Sequence, residues 1–77
     1  MSITVKYFAV LREQAGKSEE ILDFEEGMTT SSVWSKTMSE DSLPAGMMVA
    51  VNMEYTRVDT EIHDGDEVAF FPSVTGG

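Results

Sequence analysis

Apolar and polar side chains alternate at the start of the chain, in the segment SITVKYFA. One set of alternate positions holds Ile3, Val5 and Tyr7, and the other holds Thr4, Lys6 and Phe8. Residues two apart share one face of a β-strand, so the pattern predicts a strand with one buried face. The polar VLREQAGKS that follows predicts a helical turn or loop ending near Gly16. EEILDFE has Leu22 and Phe24 at strand spacing, which predicts a second strand that forms a hairpin with the first.

A helical pattern follows in TTSSVWSKTMSED. The side expected to face the core carries Val33, Trp34, Thr37 and Met38. Thr30 or Ser31 is expected to cap the helix N-terminus. Its serine and threonine content predicts a weak helix. Trp34 is expected to anchor this helix on the sheet rather than to stack on a ligand, because indole buries a large apolar area.

Proline and glycine separate this helix from the second half of the chain. Pro44 disfavours helical angles at Leu43, and Gly46 permits a turn. MMVAVNM then predicts an apolar strand, EYTRV an edge strand, and the turn HDGD leads into a last strand, EVAFFP. The element order is therefore ββαβββ. This order predicts an α+β fold of the β-grasp type, a mixed sheet with one main helix packed on one face.

Composition and charge narrow the class of protein. The 77 residues suffice for one domain, expected over residues 1–77 with a flexible tail at 72–77. Fourteen acidic and five basic residues give a net charge of −9, which disfavours nucleic acid and anionic membranes and favours basic protein surfaces. The same acidity also suits simple solubility or a saline habitat.

The sequence also predicts the cellular compartment of the protein. The chain has no cysteine, so disulfides and thiolate metal sites are excluded, which fits a reducing compartment. No apolar run approaches the roughly 18 residues that span a bilayer. MSITVKYFAV lacks the basic start and long apolar centre of a signal peptide. A cytoplasmic location is expected.

Side chains suited to catalysis or metal binding are few. His63, Asp64, Asp66 and Glu67 lie close in sequence, but their spacing matches neither a calcium loop nor a zinc motif. Asp64-Gly65 suits a hairpin turn better, since glycine adopts positive φ readily, and no metal is expected. A single histidine without cysteine supplies no catalytic triad.

Large apolar residues divide between a core and an exposed face. Met47, Met48 and Met53 lie in or beside strands and are expected to fill gaps in the core. Phe8 is expected to point away from the helix, and the same alternation turns Phe71 away in the last strand. The first and last strands of a β-grasp lie side by side, so these rings should be neighbours. An exposed aromatic patch predicts a partner surface, the alternative being that a loop covers one or both rings.

The chain closes with FFPSVTGG. Gly76 and Gly77 can contribute little to a core, because glycine loses the most backbone entropy on ordering. A frayed end is one interpretation. The other is a tail shaped for a partner.

Two segments, ITVKYFAVLREQAG and DGDEVAFFPSVTGG, resemble the small subunit of molybdopterin synthase, a ubiquitin-like sulfur carrier. The resemblance spans nearly the whole chain and is least distinctive from about Gly27 to Met47. One departure is Ser73, where many relatives have a second proline, which loosens the tail slightly. The resemblance implies a ubiquitin-like β-grasp in which the terminal carboxylate of Gly77 is the working group, preceded by Gly76.

The resemblance also implies partners. An adenylating enzyme uses ATP to make an acyl-adenylate on Gly77, and a sulfur donor converts it to a thiocarboxylate. The large subunit of molybdopterin synthase then uses the sulfur to build the dithiolene of molybdopterin from cyclic pyranopterin monophosphate. The carrier itself is expected to bind no cofactor, its partners to supply acids and bases, and the assembly to be a heterotetramer. The residues expected to contact partners are Phe8, Tyr55, Phe71, Pro72, Val74 and Thr75.

The chemical properties of the C-terminal residues fit the role of a sulfur carrier. An α-carboxylate is ionised at pH 7 and resists nucleophilic attack, so a good leaving group must be attached first. Residues without a Cβ let an extended tail enter a narrow channel, and Pro72 shortens the mobile part. Two alternatives stay open at this point. One is a thiamin-pathway sulfur carrier, and the other is a protein modifier joined through Gly77 to lysines, as acidic archaeal relatives suggest.

Overall fold

Five strands and two helices follow one another in the computed structural model, which describes residues 1–39, 46–57 and 59–72. In chain order these elements are β1 (Ser2–Tyr7), α1 (Val10–Ala15), β2 (Glu19–Asp23), α2 (Thr30–Met38), β3 (Met47–Val51), β4 (Glu54–Thr56) and β5 (Glu67–Pro72). Neither described helix is long and apolar enough to cross a membrane.

The strands form one mixed sheet in the order β2-β1-β5-β3-β4. β1 and β5 pair in parallel at its centre, with Val5 opposite Val68 and Tyr7 opposite Phe70. The other three strand pairs are antiparallel. The predicted adjacency of the first and last strands is confirmed, and β4 is the predicted edge strand.

The core lies between one face of this sheet and α2. The alternation predicted for β1 is confirmed, because Ile3, Val5 and Tyr7 are all buried. Trp34 is 1% exposed and packs edge-on against Phe70, with ring centroids 5.1 Å apart, so it anchors the helix as expected. The other buried apolar residues of this cluster are Leu11, Met28, Val33, Val49, Ile62 and Val68.

The N-terminus of α2 differs from the sequence prediction. The capping residue is Thr29, not Thr30 or Ser31. Thr29 and Ser32 form a reciprocal capping box, in which Ser32 N–H donates to Thr29 Oγ1 at 3.2 Å and Thr29 N–H donates to Ser32 Oγ at 2.8 Å. Thr30 is instead fully buried, and its Oγ1 accepts a hydrogen bond from the Thr60 N–H at 3.2 Å. Thr30 therefore joins the helix start to the loop before β5.

Two further differences concern exposed segments. The segment after β1, predicted as a helical turn or loop, forms α1, because Leu11 is buried and Gly16, with φ 76°, ends the helix. Met53 was expected in the core and is 87% exposed, so that prediction is wrong. Asn52 and Met53 have φ values of 52° and 69° and form the tight turn between β3 and β4, which points the Met53 side chain outward.

The acidic stretch before β5 builds a turn. Gly65 has φ 88°, as the Asp-Gly pair predicted, and Asp66 N–H donates to the His63 carbonyl at 3.0 Å. The Asp66 carboxylate accepts the His63 N–H at 2.8 Å, and Asp64 accepts the Ser2 N–H at 2.9 Å. The turn is not that of a hairpin, because β4 and β5 are not neighbours in the sheet. Its carboxylates serve as caps for backbone N–H groups.

Tyr7 is the buried residue that ties β1 to β2 through a polar contact. Its hydroxyl donates to Glu20 Oε1 at 2.7 Å. Burial is the main cause that raises the pKa of Tyr7 well above its ordinary value, with the Glu20 carboxylate adding to it and Thr37 acting in the opposite direction. The folded protein therefore holds this proton at a pH where the unfolded chain releases it.

This linkage predicts a loss of stability at high pH. Because the folded pKa is raised, the contribution of Tyr7 is fully present below the unfolded pKa of about 10 and is lost as pH rises above it. By pH 11 the loss should be about 1.4 kcal/mol. Tyr7→Phe should lack this loss, although it removes a hydrogen bond. Urea unfolding of both proteins from pH 8 to 11, followed by Trp34 fluorescence, measures the difference. If the free energy of unfolding falls equally with pH in the parent and in Tyr7→Phe, then folding does not raise the pKa of Tyr7.

Candidate functional site

An aromatic patch lies on the face of the sheet opposite α2. We define it as Phe8, Tyr55 and Phe71. The Phe8 and Phe71 ring centroids are 6.1 Å apart and those of Tyr55 and Phe71 are 5.5 Å apart, both in edge-to-face geometry. Phe8 is 48% exposed, Tyr55 is 71% exposed, and Phe71 is half-buried between them. The expected proximity and exposure of Phe8 and Phe71 are confirmed.

Strand register brings these three residues together from distant parts of the chain. Phe71 is on β5, next to the buried Phe70, so the pleat turns it to the opposite face. Tyr55 is on β4, two strands away, where it faces Ala50 of β3. Phe8 directly follows β1, and its N–H donates to the Phe70 carbonyl at 3.3 Å.

Ala9 shapes the end of β1 beside the patch. Its φ of 56° and ψ of −133° lie in a region that residues with a Cβ rarely adopt. The chain thereby turns from β1 into α1 directly after Phe8, whose carbonyl accepts the Leu11 N–H at 3.1 Å. Such local strain is found mainly where surrounding contacts impose it, often at functional sites.

An apolar depression lies at the end of β5. It has a volume of about 380 Å³ and is lined by Phe8, Ala9, Phe71 and Pro72. Pro72 is the last described residue before the C-terminal tail. The patch and this depression therefore sit at the base of the tail. Val74, Thr75, Gly76 and Gly77, which sequence analysis assigned to the site, lie outside the described residues.

A second depression, which we call the sheet groove, adjoins the patch. Its volume is about 320 Å³, and it is lined by Lys6, Phe8, Ala50, Met53, Tyr55, Glu67, Ala69 and Phe71. Lys6 Nζ lies 3.3 Å from Glu67 Oε2 at one end. Sequence analysis did not assign Ala50, Ala69 or this ion pair to the site. The alternation of β5 places Glu67, Ala69 and Phe71 on one face, but pairing Ala69 with Ala50 requires the β3 register.

The described side chains of the site are mostly apolar. Its described side chains are aromatic, aliphatic or joined in the Lys6–Glu67 ion pair, without a nucleophile held by a base. Among the residues that the structure describes, no three His, Cys, Asp or Glu side chains are grouped to hold a metal ion.

The mixed five-stranded sheet with α2 packed on one face is the ubiquitin-like β-grasp. Fold and site together define a small ubiquitin-like domain, in which the patch lies beside the end of β5, the strand that precedes the tail. The chain belongs to the ThiS family, whose pattern it matches over residues 5–77.

Relatives of known name span the whole chain. It is 35% identical to the molybdopterin synthase sulfur carrier subunit of Chlamydomonas reinhardtii, with 100% of both chains covered. It is 36% identical to the subunit of the same name from Escherichia coli K12, covering 97% of this chain and 99% of the relative. Among solved structures, SAMP1 from Haloferax volcanii superimposes with a TM-score of 0.80 at 27% identity, with 100% of both chains covered.

Adjacent phenylalanines on opposite faces allow a matched stability test. Phe70→Ala removes a fully buried ring from its contact with Trp34 and should destabilise the fold by about 3–5 kcal/mol. Phe71→Ala removes a half-buried ring with two edge-to-face contacts and should cost only about 1–2 kcal/mol. Urea unfolding followed by circular dichroism compares them. Equal losses would place Phe71 in the core and contradict the assignment of faces.

Proposed function

We propose that this chain is the sulfur carrier of molybdenum cofactor biosynthesis and carries sulfur as a thiocarboxylate on Gly77. The observation that carries this proposal is full-length similarity, at 35% and 36% identity, to relatives named as molybdopterin synthase sulfur carrier subunits. The absence of cysteine fits it, because the chain then has no thiol of its own to hold sulfur and depends on its terminal carboxylate.

The chemistry takes place at the terminal carboxylate. An oxygen of Gly77 attacks the α-phosphate of ATP on an activating enzyme and releases pyrophosphate, leaving an acyl-adenylate. Hydrosulfide supplied by a sulfur donor then forms a C–S bond at the same carbon as the bond to AMP breaks, which gives the thiocarboxylate without a change of oxidation state. Activation is needed because the free carboxylate is ionised at pH 7 and carries a poor leaving group. The use of ATP favours a cytoplasmic location.

The second half of the cycle takes place on a large subunit. The tail enters its active site, and the thiocarboxylate sulfur is transferred to cyclic pyranopterin monophosphate, which requires two carriers for one dithiolene. Each transfer returns Gly77 to the carboxylate. We infer a heterotetramer of two small and two large subunits, in which the large subunits supply the acids and bases.

The position of the aromatic patch supports the same assignment. Phe8, Tyr55 and Phe71 lie at the base of a tail of five residues, 73–77, which spans at most about 17 Å when extended. A partner that binds the patch can therefore hold Gly77 in a site within about 17 Å of the end of β5. The net charge of −9 suits partners with basic surfaces around that site.

Protein modification is the second candidate function. SAMP1 from Haloferax volcanii covers the whole chain with a TM-score of 0.80 at 27% identity, and the similar protein from Methanosarcina acetivorans is named small archaeal modifier protein 1. A thiamin-pathway sulfur carrier is a further alternative within the ThiS family. Covalent lysine adducts of the chain in cell extract would favour modification. A free thiocarboxylate together with a copurifying molybdopterin synthase large subunit would favour the first proposal.

The tail is the most direct test of sulfur delivery. Deleting Gly77 shortens the tail by about 3.3 Å, enough to withdraw the reacting carbon from attack distance. Adding one alanine after Gly77 displaces the carboxylate and brings a methyl group into a channel suited to glycine. Both variants should lose thiocarboxylation on incubation with activating enzyme, ATP and a sulfur donor. Intact mass spectrometry measures this, since the parent gains the difference between a sulfur and an oxygen atom.

Stability serves as the control for these tail variants. Neither change removes a contact of the described core, so the free energy of unfolding should stay within about 0.5 kcal/mol of the parent. A tail variant that is thiocarboxylated and supports molybdopterin formation as well as the parent would show that the glycines are only a frayed end.

The aromatic patch is tested by binding to the large subunit and to the activating enzyme. Phe71→Ala should weaken binding by about 2 kcal/mol or more, because truncating a central interface aromatic usually costs that much. Isothermal titration calorimetry on the folded variant measures the affinity. Ile21→Ala is the matched control, since Ile21 is 68% exposed on β2, away from the patch. Unchanged affinity for Phe71→Ala would remove the patch from the interface.

A further inference from the structure

One edge of the sheet is formed by β2, which among the described strands pairs with β1 alone. At the two ends of this antiparallel ladder, Tyr7 N–H donates to the Ser18 carbonyl at 2.9 Å and Phe24 N–H donates to the Met1 carbonyl at 3.1 Å. Hydrogen-bonded pairs alternate along such a ladder, so the even-numbered residues of β2 point their N–H and C=O groups toward β1. The odd-numbered residues point theirs outward. We call these three residues the β2 edge: Glu19, Ile21 and Asp23.

The outward backbone groups of the β2 edge are available to another strand. In the part of the chain that the structure describes, no turn, loop or side chain forms a hydrogen bond with them. β2 has five residues, whereas β4, the strand at the other edge of the sheet, has three. A row of unpaired backbone donors and acceptors on an exposed edge is a template for the addition of a strand.

The side chains of the β2 edge follow the pattern acidic, apolar, acidic along one face of the sheet. All three are exposed, and Ile21 is 68% exposed. None of the ion pairs between described residues includes Glu19 or Asp23. Within the described chain, the edge therefore presents an apolar side chain between two carboxylates that have no ion-pair partner.

The basic residues near these carboxylates are paired with other acids. Lys6 is opposite the first residue of the β2 edge in the ladder, but its Nζ lies 3.3 Å from Glu67 Oε2. Lys36 is within electrostatic range of the last residue of the β2 edge, but its Nζ lies 2.9 Å from Glu25 Oε2. A cation supplied from outside the chain can therefore pair with either carboxylate of the edge without displacing an existing ion pair.

We propose that the β2 edge binds an extended basic segment of a partner protein, which adds to the sheet as an antiparallel sixth strand. The segment places an apolar side chain opposite Ile21, and lysine or arginine two residues to either side, opposite Glu19 and Asp23. Main-chain hydrogen bonds to the three outward residues supply affinity, and the alternate side chains determine which segment fits. This inference goes beyond the proposed function and does not depend on it, because the segment lies beside β2 whereas the tail follows β5.

A second copy of this chain is a poor occupant of the β2 edge. Antiparallel pairing of two β2 strands about Ile21 would place Glu19 of each copy opposite Asp23 of the other, and like charges directly opposite each other destabilise a strand pair. The net charge of −9 adds repulsion at longer range. The carboxylates that favour a basic segment therefore also protect the edge from self-association.

Short peptides test this edge without any sulfur chemistry. The full chain, labelled with ¹⁵N, is titrated with acetyl-Lys-Thr-Val-Thr-Lys-amide, and we expect saturable shifts of the Glu19, Ile21 and Asp23 amide signals. Acetyl-Glu-Thr-Val-Thr-Glu-amide should bind at least about fivefold more weakly, because two cross-strand charge pairs change from attractive to repulsive. The basic peptide with N-methylvaline at its centre should also bind about fivefold more weakly, because the central main-chain donor is lost while the charge is kept.

Matched charge variants locate the binding site. Glu19→Lys combined with Asp23→Lys should reverse the preference, so that the acidic peptide binds more tightly than the basic one. Glu13→Lys combined with Glu26→Lys changes the net charge equally at exposed positions outside β2 and should retain the preference for the basic peptide. Equal binding of the N-methylated and unmodified peptides, the same change of preference in both double variants, or no saturable shift at the β2 edge would overturn the proposal. Circular dichroism of each variant verifies that it is folded before titration.

Discussion

The parallel pairing of β1 with β5 is the contact on which the other features depend. It joins residues from opposite ends of the chain, with Tyr7 opposite Phe70. On one face this pairing sets Phe70 against Trp34 and closes the core under α2. On the other face it sets Phe71 beside Phe8. Core and patch are therefore two sides of one strand pair, and a change of register by one residue would exchange them.

Both faces of the sheet in this small domain carry large apolar side chains. One face holds the core cluster around Trp34, while the other leaves Phe8 and Tyr55 largely exposed. An exposed aromatic cluster of this kind is typical of an interaction surface. Several polar contacts of the fold are local caps and turns, such as the Thr29–Ser32 box and the Asp66 turn. They stabilise the turn before β5 and the start of α2.

In the proposed function, charge and apolar contact have different roles in partner recognition. Fourteen acidic residues give long-range attraction to a basic partner, which is weakened by salt and carries little geometric information. The aromatic patch would provide shape complementarity at short range. The proposed delivery of the terminal carboxylate to an enzyme site would need both, because the tail reaches its target only if the domain docks in one orientation.

The sequence by itself determined the strands, the main helix, the buried face of β1 and the outward direction of Phe8 and Phe71, because period-2 and helical spacing are local properties that follow from backbone geometry. It also supplied the Gly-Gly terminus and the family resemblance.

Tertiary structure decided which residues meet. Thr29 caps α2 because Thr30 is drawn into the contact with Thr60, and Met53 is exposed because the β3–β4 turn is tight. Tyr55 joins Phe71, and Ala50 meets Ala69, only through the order of strands in the sheet, since pairing between distant segments depends on packing of the whole core and leaves no local pattern in the sequence.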